Sequence, residues 1–279
     1  MSRLRARIAV LTRTLTGLRH LDPGRDRLLA AFPKSGSTWV RFVLCNLVSL
    51  RYWDGRPLDF PLLNRTLPEL GVSDLSEPWP WGELLPRTVK THAPAWPLLR
   101  RVPAVLLVRD PADVMVSFHH HDAAQGGSRN PGRTLADFVR GGRFGVEGWA
   151  RHTRSWMDAG ATVVRYGELR ADPHAGFRRL VDALGADVPD ELLGPAVARS
   201  TLEATRAAEA RSGADADFED GFRFVRKGAE REGRAVLSAD DRSWMEEVLH
   251  EHGVEWPEPP PPSDEERADG PPSGSGEGR

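Results

Sequence analysis

The chain has 279 residues, of which 39% are hydrophobic and 28% charged, and its formal net charge is −2. This balance is typical of a globular protein and argues against a nucleic-acid-binding protein, which would carry a basic surplus. The single cysteine, Cys45, excludes a disulfide framework and a cysteine-built zinc site, and it fits a reducing cytoplasm. No apolar run approaches the roughly 18 residues that a membrane helix needs. We therefore expect a cytoplasmic protein without a transmembrane segment.

Residues 1–27 are predicted to form an amphipathic helix and a linker. Apolar side chains recur at helical spacing, with arginines between them, at Leu4, Ile8, Leu11, Leu15 and Leu18. The helix either docks on the protein's own core or makes weak contact with an anionic membrane surface.

Residues 28–256 are predicted to form a single α/β domain with a central parallel sheet flanked by helices. Four short, largely apolar stretches are predicted strands: Leu28–Phe32, Thr88–Lys90, Ala104–Val108 and Thr162–Tyr166. Helical periodicity marks the stretches between and after them: Thr38–Leu50, Ala112–His121, Val146–Met157 and Pro173–Leu184. Ligands of such sheets bind beyond the carboxyl ends of the strands. Residues 257–279 consist mostly of Pro, Gly, Ser and acidic residues, and they predict a disordered tail.

The first predicted strand runs into a P-loop-like segment, Pro33–Trp39, that is followed by a helix. Gly36 lets the loop approach a ligand closely, and Lys34 adds a positive charge. The amides of Gly36, Ser37 and Thr38 point along the helix axis, as at other anion sites. The loop differs from a Walker A motif because Lys34 precedes Gly36 by two residues. It predicts a phosphate or sulfate site; the alternative is an ordinary turn in which Ser37 or Thr38 caps the helix.

Lysine is scarce in this chain. Lys34, Lys90 and Lys227 are the three lysines among 38 basic residues. In so arginine-rich a chain, lysine is expected to remain where a compact ammonium matters, as at phosphate and proton-transfer sites. All three are therefore candidate site residues.

A second anion site is predicted after the third strand. Arg109 stands at the end of that strand, and Pro111 fits the first turn of the following helix. Ser117 lies four residues past Asp113, about one helical turn further along. An arginine with a nearby hydroxyl suits an anion, whereas the alternative is an arginine that covers the edge of the sheet.

Several segments, in the same order along the chain, resemble the cytosolic sulfotransferase family. Pro33–Trp39 resembles its loop for the 5′-phosphosulfate end of 3′-phosphoadenosine 5′-phosphosulfate (PAPS), and Arg109–Phe118 resembles its 3′-phosphate element. Lys90–Pro94 is similar to the segment that holds the catalytic base. Tyr166–Pro173 is similar to the element on the adenine side, and Phe224–Gly228 to a nucleotide-binding segment near the C-terminus.

The resemblance implies an enzyme that transfers a sulfuryl group from PAPS to the hydroxyl or amine of a small-molecule acceptor, without a metal. The catalytic residues it implies are Lys34, Lys90, His92 and Ser117. The PAPS-binding residues it implies are Lys34, Ser35, Gly36, Ser37, Thr38, Trp39, Arg109, Ser117, Tyr166, Phe224, Arg226, Lys227 and Gly228. It does not extend to the oligomeric state.

His92 is the expected general base. Sulfuryl transfer needs the acceptor deprotonated as it attacks sulfur, and a histidine that titrates near neutrality is suited to take that proton. Lys34 is expected to neutralise charge on the leaving group. The resemblance further implies that Ser117 contacts both the 3′-phosphate and Lys34.

Two other functions are compatible with the sequence. One is a small-molecule kinase that uses ATP and magnesium, although the sequence lacks a Gly-Lys-Ser/Thr triplet. The other is a non-catalytic nucleotide-binding protein of the same fold, against which the intact Lys34, His92 and Ser117 argue.

The acceptor pocket is expected to be mostly apolar. The segment Arg51–Arg87 is rich in aromatic residues and leads into the strand before His92, so we expect it to cover the acceptor, with Trp79 and Trp81 in contact. The alternative is that these aromatics cover the sheet edge. His152 shares a helical stripe with two tryptophans and is either a core residue or part of the pocket lining. His119, His120 and His121 are consecutive and cannot chelate one metal ion from a helix.

Overall fold

A four-stranded parallel sheet forms the centre of the computed structural model, which describes residues 12–124, 134–211 and 232–256. The strands are β1 (Asp26–Ala31), β2 (Arg87–Thr91), β3 (Ala104–Val108) and β4 (Thr162–Arg165), in the order β2-β1-β3-β4. Each pairing is parallel. The predicted α/β class is confirmed, and every predicted strand is present to within two residues at each end.

Helices follow or precede each strand in the described ranges. They are α1 (12–19), α2 (Ser37–Tyr52), α3 (Phe60–Thr66), α4 (Pro111–Ala124), α5 (Leu135–Val139), α6 (Val146–Asp158), α7 (Tyr166–Ala171), α8 (Pro173–Ala183), α9 (Asp190–Ala198), α10 (Leu202–Arg211), α11 (Glu232–Val236) and α12 (Ala239–Glu251). None of the helices within those ranges is long and apolar enough to cross a membrane.

Both faces of the sheet are buried. Leu29 and Leu107 pack into one apolar cluster with side chains of α2 and α8. Leu28 and Leu106, which point to the opposite face, pack into another with Trp156 of α6. The apolar residues of β1 and β3 are buried on both faces, which is the signal that predicted a covered parallel sheet, whereas Thr162 and Arg165 of the edge strand β4 are exposed.

Of the predicted apolar stripe, one described residue docks on the core and the other is exposed. Leu18 packs against the cluster around Leu28, but Leu15 is 54% exposed. An added Cβ at Gly17 would come within 3.1 Å of the Leu70 side chain. Because glycine has no side chain, this face of α1 can pack closely against Leu70. Leu4, Ile8 and Leu11 lie outside the described residues.

Candidate active site

The residues that directly follow the four strands meet at the carboxyl edge of the sheet. Lys34 comes just after β1, His92 after β2, Arg109 after β3 and Tyr166 after β4. Parallel strands end at the same edge, so four segments spread over more than a hundred residues of chain become neighbours.

The phosphate loop after β1 has a special backbone. Lys34 has a φ of 71° and Gly36 a φ of 97°, both in the left-handed region. A Cβ at Gly36 would lie 2.5 Å from the ring of Tyr166, so glycine is required here by both conformation and space. The loop thus turns sharply from β1 into α2 and lies directly against Tyr166.

The N-terminus of α2 has no side-chain cap. Its N-cap is Gly36, and no side-chain hydrogen bond caps the helix in the described structure, so the expected alternative of a Ser37 or Thr38 cap is wrong. By contrast, α3, α8 and α12 are capped by Asp59, Asp172 and Ser238. The first amides of α2 are therefore left to an external acceptor, which suits an anion.

Arg109 and Tyr166 support the loop from the neighbouring strands. The Arg109 guanidinium donates to the carbonyl of Lys34 at 3.4 Å and lies 4.9 Å from the centre of the Tyr166 ring. Trp39, on the first turn of α2, packs edge-on against the same ring at 5.8 Å. The predicted residues Lys34, Gly36, Trp39, Arg109 and Tyr166 are thus brought together.

The C-terminal segment is attached to the start of α4. Asp113 lies 3.8 Å from Arg109 and accepts a hydrogen bond from the amide of Gly233 at 2.8 Å. Asp110 accepts from Arg234 at 3.2 Å and from Trp256 at 3.1 Å. Both carboxylates therefore tie this segment to the element that carries Arg109.

Ser117 lies partly exposed on α4, and no hydrogen bond between it and Lys34 is found among the described residues. The predicted nucleotide residues Phe224, Arg226, Lys227 and Gly228 lie outside the described residues. Ser35 has a wholly buried hydroxyl with no hydrogen-bond partner among the described residues.

His92 is held in the tautomer that a general base needs. Its Nδ1 lies 2.6 Å from the carbonyl of Ala31, and a carbonyl only accepts, so Nδ1 carries the proton. Nε2 therefore keeps its lone pair. Burial, and then the nearby Lys90 ammonium, lower the pKa of His92 to about 3, against the opposing effect of Glu69. The ring is therefore neutral at pH 7, and its pKa lies well below the near-neutral value expected from the sequence.

Lys90 is paired with a carboxylate that the sequence did not single out. Its Nζ lies 2.8 Å from Oε2 of Glu69, whose Oε1 is 3.9 Å from Nε2 of His92. Burial would raise the pKa of the Glu69 carboxyl, but Lys90 and His92 hold it below its ordinary value. Burial lowers the pKa of Lys90, and Glu69 opposes that effect. A lone glutamate in an irregular segment carries no motif, so only its position in space identifies it.

A cleft of about 770 Å³ opens beside His92 and the phosphate loop. Lys34, Ser37, Thr38, Lys90 and His92 all line it. Much of the remaining wall is apolar or aromatic and includes Phe32, Leu70, Val72, Trp96, Phe118 and Phe144. One cleft thus joins the anion loop, the base and an apolar surface.

The predicted acceptor contacts of Trp79 and Trp81 are wrong. Both side chains pack against the core beside α2, and neither lines the cleft. Nε1 of Trp79 donates to the carbonyl of Leu85 at 2.9 Å, and the two rings meet edge-on at 4.8 Å. Within this segment, only Glu69, Leu70 and Val72 line the cleft. Its tryptophans instead pack against the apolar cluster beside α2.

His152 is both buried and part of the cleft. Only 4% of the residue is exposed, yet it lines the cleft and packs edge-on against Phe32 at 5.7 Å. Burial lowers its pKa to about 4, an effect that the nearby Ala93 carbonyl partly offsets. Neither ring nitrogen makes a well-formed hydrogen bond to a described residue. Both predicted placements, in the core and in the pocket lining, therefore hold for this residue.

Comparisons with known proteins agree with this geometry. The family model described as "Sulfotransferase domain" matches residues 24–256. Sulfotransferase 2B1 of Homo sapiens is 27% identical over 206 residues, which cover 65% of this chain and 52% of the relative. Sulfotransferase 1A1 of Bos taurus is 27% identical over 198 residues, covering 64% of this chain and 65% of the relative. The matches thus span about half to two thirds of the length of these relatives.

Solved structures show the same fold. Retinol dehydratase in complex with retinol and PAP superposes with a TM-score of 0.67 at 17% identity, over 89% of this chain and 88% of that one. Mouse sulfotransferase SULT7A1 complexed with PAP has a TM-score of 0.61 at 19% identity, over 86% and 88% of the two chains.

Proposed function

Because the chain belongs to the sulfotransferase domain family, we propose that it transfers a sulfuryl group from PAPS to a hydroxyl of a small-molecule acceptor. One observation carries the proposal: the uncapped loop with Lys34 and the lone pair of His92 open onto the same cleft. The sulfotransferase relatives and the PAP in the similar structures support it. The single Cys45, which is buried and unpaired, fits a cytoplasmic location.

The residues at the carboxyl edge fit the phosphates of PAPS. The amides at the start of α2 and the ammonium of Lys34 suit the 5′ end, where negative charge develops on the leaving group. Arg109 suits the 3′-phosphate, because it stands one strand away on the same edge. Tyr166 and Trp39 supply an aromatic surface beside them.

PAPS, when bound, supplies the sulfur atom to which the acceptor oxygen bonds as the bond from sulfur to the 5′-phosphate oxygen breaks. The proton of the acceptor moves to Nε2 of His92, whose other nitrogen is fixed by Ala31. Lys90 and Lys34 keep positive charge on both sides of the reacting atoms.

The acceptor that fits the cleft has an apolar body and carries one hydroxyl. The volume of about 770 Å³ and the side chains of Trp96, Phe118 and Phe144 suit an aromatic or lipid-like molecule better than a simple sugar. Retinol in the complex of retinol dehydratase is a ligand of that kind.

Two measurements test the proposal. In the first, PAP without added metal raises the melting temperature, whereas ATP with magnesium does so less; Lys34→Ala loses the shift, and Arg154→Ala, an exposed arginine on α6, keeps it. In the second, labelled sulfate moves from PAPS to members of a panel of apolar phenols and alcohols. An unchanged melting temperature at saturating PAP contradicts the proposed donor. PAP binding without transfer to any acceptor would indicate a nucleotide-binding protein without this activity.

A further inference from the structure

Glu69 is the one carboxylate among the described residues that line the cleft. The backbone holds it beside the end of β2, because the amide of Lys90 donates to the carbonyl of Pro68 at 2.8 Å and the amide of Leu70 donates to the carbonyl of Lys90 at 2.9 Å. These two bonds fix Glu69 from both sides. The backbone on both sides of Glu69 is therefore hydrogen-bonded to β2, the strand that carries Lys90 and leads to His92.

The two carboxylate oxygens of Glu69 lie near two different groups. One is the Lys90 ammonium, and the other is the His92 ring, which becomes a cation when it takes a proton. Oε2 is 2.8 Å from the Lys90 ammonium, and Oε1 is 3.9 Å from Nε2 of His92. The ring of His92 is not free to turn away, because Nδ1 is bonded to the carbonyl of Ala31 at 2.6 Å. The nitrogen that would take the acceptor's proton is thus the one that faces Glu69.

We propose that Glu69 is a positioning residue for proton transfer: one oxygen holds the Lys90 ammonium, and the other stabilises the imidazolium that forms when Nε2 of His92 takes the acceptor's proton. The inference rests on the proposed function. The proton passes from the acceptor oxygen to Nε2 while the oxygen bonds to sulfur, and Glu69 stays ionised throughout. In the Ser-His-Asp triad a carboxylate also stabilises the charged ring, but from the ring nitrogen opposite the one that takes the proton.

The surrounding charges make this contribution necessary. Lys90 and the buried His152 both oppose a positive charge on His92, whereas Glu69 and the Ala31 carbonyl favour it. Arg41 of α2 interacts electrostatically with Glu69 and adds a further positive charge nearby. Without the Glu69 carboxylate, the Lys90 ammonium would face the new imidazolium uncompensated, and proton transfer would become harder.

The first test measures the contact without using the reaction. The chain has three lysines, so NMR of the side-chain carbons of ¹³C-labelled lysine gives few signals, which Lys34→Arg and Lys227→Arg assign. Glu69→Gln is expected to lower the pKa of Lys90 by about one unit or more. The matched control is Asp158→Asn, which removes an exposed carboxylate of an ion pair on α6 and leaves that pKa unchanged. An equal Lys90 pKa in Glu69→Gln and wild type would overturn the proposal.

The second test compares two acceptors that differ in acidity. They are the hydroxyl compound that the wild-type protein sulfates fastest and its analogue fluorinated beside the hydroxyl, whose proton is more easily lost. Glu69→Gln should lower kcat roughly 10-fold or more with the first acceptor and clearly less with the second, because the more acidic acceptor needs less help from a base. The KM for PAPS and the affinity for PAP by calorimetry should stay unchanged. Glu69→Asp, which keeps the charge, should recover part of the rate.

Equal losses with both acceptors would indicate a merely structural role and overturn the proposal, as would an unchanged kcat. If Glu69→Gln does not fold, as judged by thermal unfolding, Glu69→Asp is compared with wild type in the same two measurements, with smaller effects in the same directions expected and no effect contradicting the proposal. A wild-type protein that sulfates no acceptor contradicts the proposed function itself, and this inference with it. Wild-type activity together with a normal Glu69→Gln rate contradicts only the role of Glu69.

Discussion

The donor side and the acceptor side of the carboxyl edge are assembled in different ways. The donor side consists of residues that directly follow β1, β3 and β4: the loop around Lys34, Arg109 and Tyr166. The acceptor side consists of His92 together with residues from separate loops and helices, among them Glu69, Trp96 and His152. The first is therefore fixed by the sheet, whereas the second depends on how distant segments pack. This difference predicts that substitutions on the two sides change different kinetic constants.

The largest expected effect separates chemistry from binding on the acceptor side. His92→Ala should lower kcat by roughly 100-fold or more while the affinity for PAP stays within a factor of about two, because a general base contributes at that scale and His92 does not touch the donor side. Steady-state kinetics and calorimetry measure the two constants. A variant as active as wild type would show that another group is the base.

On the donor side, substitutions of Arg109 and Lys34 should have different effects on affinity and rate. Arg109→Ala should weaken PAP binding roughly 10-fold with a smaller effect on kcat, since a charge-assisted hydrogen bond is worth about 1.5–3 kcal/mol. Lys34→Ala should lose both affinity and rate, because Lys34 faces the bond that breaks. If Arg109→Ala binds PAP as wild type does, the 3′-phosphate site lies elsewhere.

Substitution of two tryptophans tests which aromatic residues contact the acceptor. Trp96 lines the cleft, so Trp96→Ala should raise the KM of the acceptor about 3- to 10-fold at constant KM for PAPS. Trp79 packs against the core, so Trp79→Ala should leave acceptor kinetics unchanged and lower the free energy of unfolding by roughly 2 kcal/mol. The reverse result would restore the pocket predicted from the sequence.

The smallest expected effect concerns pH and His152. Because burial lowers its folded-state pKa to about 4, the unfolded chain binds the proton more readily. The native state therefore loses stability as the pH falls from the ordinary histidine pKa of about 6.5 toward 4. His152→Phe, which keeps an aromatic ring against Phe32, should reduce this loss.

Thermal unfolding between pH 7 and pH 5 measures that slope in wild type and variant. A control variant, His250→Gln, replaces an exposed histidine on α12 and should leave the slope unchanged. Identical slopes in His152→Phe and wild type would show that the ring is not buried in its neutral form.

The same division explains what the sequence predicts well. In the donor side, a strand, its loop and the start of the next helix are adjacent in the chain. The positions of Lys34 to Trp39 and of Arg109 can therefore be predicted from the local sequence. His92 was identified because Lys90–Pro94 resembles a known segment, not because of its spacing. Fold and donor side are accordingly predictable from short segments.

The acceptor wall carries no such signal. Trp79 and Trp81 are as aromatic as Trp96, and composition alone does not say which of them meets the core and which the cleft. Likewise, periodicity does not show that Leu18 packs on the core while Leu15 is exposed, since the orientation of α1 depends on the close approach of Gly17 to Leu70. Glu69 is recognisable only once the backbone bonds between Leu70 and Lys90 are known.

A crystal structure of the protein with PAP and an acceptor that the protein sulfates tests the assignment of donor side and acceptor side most directly. We expect the 5′-phosphate to lie within about 3 Å of the α2 amides and Nζ of Lys34, and the acceptor hydroxyl to lie within about 3 Å of Nε2 of His92. The aromatic body of the acceptor should contact Trp96 and Phe144. PAP bound away from the Lys34 loop, or an acceptor hydroxyl remote from His92, would contradict the proposed roles of Lys34 and His92.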